Sequence, residues 1–144
     1  MAETLFNHHL EKAGKSADFM VDSCGTGGWH AGEKADQRMR QTAEKHGLSI
    51  THRARQIQDT DPETFDYLLV MDQQNLIDVT DRFVNTQKKV SLVTDLTQSF
   101  RGKIIPDPYF GDMRGFEEVF QLLNNVTREL ADQLIHQHSK QSES

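Results

Sequence analysis

FDYLLVMDQQNLIDV, residues 65–79, contains the most apolar run of the chain, Phe65 to Met71, closed by Asp72 and followed by a helical pattern from Gln73 to Val79. A run this short fits a buried strand better than a helix. Asp72 marks the strand's carboxyl end and is placed to cap the helix that follows. Further on, Val90 to Val93 reads as another strand. Upstream, Leu5, Phe6, Leu10 and Ala13 recur at helical spacing and Gly14 follows as a stop, which predicts a helix over residues 1–13 that starts without a capping side chain. Phe19-Met20-Val21 reads as a short strand. Asp36 to Lys45 has helical composition with Gly47 beyond it, and Asp61-Pro62-Glu63 reads as a helix start with proline at a tolerated first position. Residues 101–115, with Pro106 and Pro108, read as irregular. Phe116, Val119, Phe120, Leu123, Val126, Leu130 and Leu134 then form one apolar stripe on a long helix. Strands alternating with helices predict an α/β domain with a parallel sheet. That domain spans residues 1–136, and the polar residues 137–144 (QHSKQSES) are expected to be a disordered tail.

Composition narrows the function. The 144 residues carry 16 Lys and Arg against 22 Asp and Glu, a formal charge of −6, so no global field attracts a nucleic-acid backbone. No apolar stretch approaches the roughly 18 residues of a membrane span, and the opening residues lack a secretory apolar core, which points to a cytoplasmic protein. The one cysteine, Cys24, excludes an intrachain disulfide and fits a reducing compartment.

In an open parallel sheet, ligands bind beyond the carboxyl ends of the strands, so the loops leaving strands are the candidate sites. The run Asp22 to Gly32 holds Ser23, Cys24, Thr26, Trp29 and His30 on a glycine-rich backbone; its plain reading is a loop that turns the chain. A thiol that attacks phosphate needs an amide cradle and a nearby guanidinium, yet His30 stands where a Cys-x5-Arg pattern starting at Cys24 would require arginine. Cys24 therefore reads as a small, partly buried thiol. Asp107-Pro108-Tyr109-Phe110 places one carboxylic acid beside two aromatic rings, where desolvation raises its pKa and suits it to donate a proton; the plain reading is an Asp-Pro turn. His8 and His9 point about 100° apart on a helix and cannot form a one-face metal pair. His136 and His138 read as solvated, His52 as a structural histidine, and Asp72 as a helix cap.

Four segments together, VDSCGTGGWHAGEKADQR (21–38), HRARQ (52–56), FDYLLVMDQQNL (65–76) and IPDPYFGDMRGFEEVF (105–120), resemble the low-molecular-weight protein tyrosine phosphatases in order and spacing. The resemblance implies a three-layer α/β sandwich with a doubly wound parallel sheet. It also implies hydrolysis of phosphotyrosine through a cysteinyl-phosphate intermediate, with no cofactor and no metal. By resemblance, Asp107 is the general acid and then base, Trp29, Tyr109 and Phe110 line the substrate crevice, and Ser23, His52 and Asp72 support the phosphate loop. Implied partners are a phosphotyrosine-containing protein or a small aryl phosphate, and a cognate tyrosine kinase. The family pattern opens with a central strand and a Cys-x5-Arg loop, neither of which occurs in the 144 residues. The resemblance therefore implies that this chain alone is inactive, and that the strands around Val21 and Leu69 face a gap. Two explanations follow: about 15–20 residues precede Met1 in the active enzyme, or the chain is a noncatalytic pseudophosphatase that binds phosphoproteins. Arsenate reduction occurs on a similar fold, but it requires more cysteines than Cys24.

Overall fold

The computed structural model describes residues 1–25, 32, 34, 36–51, 55–83, 89–106 and 113–143, with side chains through 138. In chain order the elements are α1 (Ala2–Lys12), α2 (Gln37–Lys45), α3 (Asp61–Thr64), β1 (Leu68–Val70), α4 (Gln73–Arg82), β2 (Val90–Leu92) and α5 (Met113–Glu143). Short 3-10 turns occupy Ser16–Asp18 and Val93–Leu96.

β1 and β2 pair in parallel, with Leu68 opposite Val90 and Val70 opposite Leu92, and α4 makes the crossover between them. The strand expected over 65–71 is thus confined to three ladder residues, and Asp72 begins α4 by accepting a 2.8 Å hydrogen bond from the Asn75 amide. Asp36 caps α2 in the same way, accepting from the Arg38 amide at 2.8 Å. Pro62 lies in the first turn of α3, where its missing N–H breaks no helical bond. α1 starts at Met1 with no side-chain cap, as the sequence predicts.

Two apolar clusters hold these elements. One face of α5, including Val119, Phe120, Leu123, Val126, Leu130 and Leu134, packs against Leu5, Phe6 and Leu10 of α1 and against Val93 and Ile105. The second cluster is smaller: Ile57, Val70, Val79, Val90 and Leu92 join the strand pair to α4. Buried threonines satisfy themselves on nearby carbonyls; Thr127 donates to Leu123 O at 2.6 Å and Thr42 to Arg38 O at 2.8 Å.

One expected strand does not form. Phe19 is extended, but residues 19–21 form no ladder; the first bridge in this segment is Gly25 with Gln56, made by Gly25 N donating to Arg55 O and Ile57 N to Gly25 O. The reason is that residues 19–21 border a groove instead of a neighbouring strand. The α5 backbone continues through Glu143. His138, expected in solvent, sets its ring edge-on to Phe19 and Tyr67 at centroid distances of 5.6 and 6.3 Å. Among the described residues no helix is long and apolar enough to cross a membrane.

Replacing Asp72 with alanine removes the α4 cap and is expected to cost about 1 kcal/mol. Urea unfolding should show a lower midpoint with an unchanged slope.

Candidate functional site

On the side of β1 opposite β2 lies a groove of about 410 Å³. One wall is the segment Asp18 to Gly25 and the other is Thr64 to Met71; Ala2, Glu3 and Phe6 of α1 and Leu130 and Leu134 of α5 line its base. Leu68 N donates to Lys89 O at 2.9 Å, toward β2. Alternation along a parallel strand then turns the Leu69 amide and carbonyl to the groove edge, where no described strand pairs with them. Val21 and Leu69 both line this groove.

Its polar end is organised by Arg55. The guanidinium donates twice to Asp61, from Nη1 at 2.9 Å and Nη2 at 3.2 Å, and from Nε to Asp22 Oδ2 at 2.9 Å. Asp61 is 6% exposed, and burial alone would raise its pKa. Its bonds from Arg55 and from the Gln58 amide at 2.8 Å outweigh that cost and hold the carboxyl below its ordinary value. Arg55 correspondingly binds its proton more tightly than a free arginine, first through the Asp61 bonds. The clamp fastens the Asp22 wall to the start of α3.

Ser23, expected to support a phosphate loop, lies in the groove and donates its hydroxyl to Glu3 Oε1 at 3.0 Å. Cys24 lines the same end. The residue is solvent-exposed and not the partly buried one expected, because the loop carries it at the rim. Desolvation around its sulfur nevertheless pushes the thiol pKa up, with Arg55 acting only as a smaller opposing influence. At neutral pH Cys24 is a protonated thiol, which is a poor nucleophile. Asp72 caps α4 and reaches the groove only indirectly, since its partner Asn75 lines it. Trp29, His52, Asp107, Tyr109 and Phe110 lie outside the described residues.

Sequence reasoning assigned no site role to Glu3, Asp22, Arg55 or Asp61. Arg55 belongs to the HRARQ segment, but no spacing rule links it to Asp22 and Asp61, so only the fold reveals the clamp. Among the described residues no group of three or more His, Cys, Asp or Glu is placed to hold a metal ion.

A parallel β-α-β unit with helices over it, and a cleft along the edge of β1 opposite β2, defines an α/β protein. The family description "Low molecular weight phosphotyrosine protein phosphatase" matches residues 1–141, and the chain belongs to that family. It is 37% identical over 122 residues to the low molecular weight phosphotyrosine protein phosphatase of Schizosaccharomyces pombe, covering 83% of this chain and 78% of the relative. The human protein of the same name is 36% identical over 124 residues, covering 84% and 78%. A crystal structure of a protein tyrosine phosphatase from Entamoeba histolytica, with Hepes in its active site, superposes with a TM-score of 0.83 at 25% identity, covering 98% of this chain and 88% of that one. The α/β fold is therefore that of the family.

Arg55→Gln leaves Asp61 buried without its main partner. Full burial of such a pair would make the loss about 3–5 kcal/mol. Arg55 is 28% exposed, which reduces the expected loss to about 2 kcal/mol. The pH dependence should follow. Because the folded pKa of Asp61 is depressed, its stabilisation is present above the unfolded value of about 3.9 and is lost as pH falls through the folded value. Urea midpoints measured from pH 7 downward should therefore fall more steeply below about pH 4 for the parent chain than for Arg55→Gln.

Proposed function

We propose that this protein hydrolyses phosphotyrosine and small aryl phosphates through a cysteinyl-phosphate intermediate, and that the 144 residues supply every part of that machinery except the nucleophilic loop. The observation that carries the reading is the groove beside the unpaired edge of β1. An extended apolar strand fits there, because it would complete the Leu69 hydrogen bonds and cover Phe6, Leu69 and Leu130. A Cys-x5-Arg loop at the end of that strand would emerge at the polar end, beside Ser23.

In this mechanism the loop thiolate attacks phosphorus and the aryl oxygen leaves, taking its proton from Asp107. Water then attacks the cysteinyl phosphate and gives one proton to the Asp107 carboxylate, which releases hydrogen phosphate and restores the loop thiolate. Support for the reading comes from Ile105, whose amide donates to Met71 O at 2.9 Å, so the described chain up to Pro106 runs beside the carboxyl end of β1. Trp29, Tyr109 and Phe110 would form the crevice around the aromatic ring, while Ser23, His52 and Asp72 would brace the loop.

The chain by itself is inactive in this reading. General-acid catalysis contributes roughly 10²–10⁴-fold, whereas hydrolysis of a phosphate monoester requires up to about 10²¹-fold. Cys24 cannot substitute, since its pKa is raised and no arginine stands six positions on. A cytoplasmic location and opposition to a cognate tyrosine kinase belong to the same proposal.

The test is to fuse an apolar strand and Cys-x5-Arg loop, taken from the human relative, ahead of Met1 and to measure phosphate release from a phosphotyrosine peptide. The chain alone should release none above buffer, and the fusion should turn over. In the fusion, Asp107→Asn should lower kcat by about 10²–10⁴-fold, while Cys24→Ser should leave it within about twofold. Turnover by the chain alone, or a folded fusion without activity that still binds the peptide, overturns the proposal; the second result would identify a noncatalytic phosphoprotein-binding module.

A further inference from the structure

A second concavity, of about 450 Å³, opens where the carboxyl ends of α1 and α2 meet the middle of α5, and it shares no residue with the groove beside β1. Its charged and titratable lining is His8, His9 and Lys12 from α1, His46 at the end of α2, and Arg128 and Asp132 from α5. Two permanent cations face one carboxylate, and three imidazoles can only add positive charge. That balance is the reverse of the whole chain, whose formal charge is −6.

The imidazoles are held in place. His46 stacks on Phe120 with ring centroids 4.1 Å apart, and its Nε2 is 2.7 Å from Glu117 Oε1. His9 Nε2 is 3.2 Å from Asn124 O. A carbonyl only accepts, so Nε2 carries the proton of neutral His9 and Nδ1 is the atom that gains one. Burial first, then the charge of Arg128, and lastly His8, hold the pKa of His9 below its ordinary value, with Asn124 opposing. Asp132 is the carboxylate of the lining. Lys12, His46 and the Glu117 paired with it complete the charged surroundings.

We propose that this concavity binds a phosphate dianion, free or as a monoester, through Arg128, Lys12 and His9. The ligand chemistry follows from the donors: a guanidinium fork and an ammonium, brought from two helices, suit acceptor oxygens with two negative charges, and His9 joins them as a donor when the bound anion favours a proton on its Nδ1. The volume falls in the range of small-molecule sites, and Leu48 and Phe120 provide an apolar wall for an ester group. A metal ion is the poorer fit, since the described residues hold no ligand set of three.

The experiment is a histidine NMR titration of the 144-residue chain against pH, in excess inorganic phosphate, in excess phenyl phosphate, and in chloride of matched ionic strength. His9→Gln identifies the His9 resonance. Either phosphate ligand should raise the His9 midpoint by about half a unit or more over chloride, because a bound anion favours the protonated ring. Equal shifts from both assign the site to the dianion alone, and a larger shift from phenyl phosphate assigns it to an ester. Arg128→Gln and Lys12→Gln, both at exposed positions, should each weaken the saturable shift at least threefold while leaving the amide spectrum otherwise folded. Identical midpoints in phosphate and chloride, or an undiminished shift in Arg128→Gln, overturn the proposal.

Discussion

The apolar stripe of α5 is the surface on which the other elements are assembled. Phe120, Leu123, Val126 and Leu130 are almost wholly buried, and they bury Leu5 and Leu10 of α1 in return. Each such aliphatic or aromatic side chain contributes about 1.5–3 kcal/mol when removed from water. α1 has no comparable support within itself: it has no side-chain cap, and isolated helices of its length are marginal in water. The α1–α5 contact thus sets the base of the groove beside β1 and the walls of the concavity on the other side of α1, so both binding regions depend on it.

Charge is distributed unequally over that scaffold. Arg55 is committed to Asp61 and Asp22, and its role is to fasten one wall of the groove to the start of α3. The groove end with Ser23, Glu3 and Cys24 consequently offers a support surface and no described cation dedicated to phosphate. Around His9 the situation is opposite: Arg128 and Lys12 line the hollow with Asp132, while Glu117 is paired with His46. The same chain can therefore be acidic overall and still present a cationic hollow, because local field depends on which side chains the helices bring together and not on the sum.

Much of the local structure is legible in the residues. Asp72, Asp36 and Pro62 announce helix starts through rules that act within three or four positions, and the 116–134 stripe identifies the face that α5 buries. What misleads is context. Phe19-Met20-Val21 has strand composition, but a strand is defined by its neighbour, and residues 19–21 have a groove beside them instead. His138 reads as solvated near a helix end, yet its ring meets Phe19 and Tyr67 edge-on. Family membership was legible from four ordered segments, since relative spacing along the chain survives even where each segment alone is weak.

The sequence by itself therefore determined the α/β class, the positions of most helices, the parallel strand pair and the family, because these follow from short-range chemistry and from order along the chain. Only the tertiary structure decided that Arg55 joins Asp22 to Asp61, that Ser23 meets Glu3, that Cys24 stands exposed at the groove rim, and that His9, Lys12 and Arg128 share one hollow. Those partners are separated by up to more than a hundred residues of chain. Their encounters are set by how α1 packs on α5, which no periodicity within either helix records.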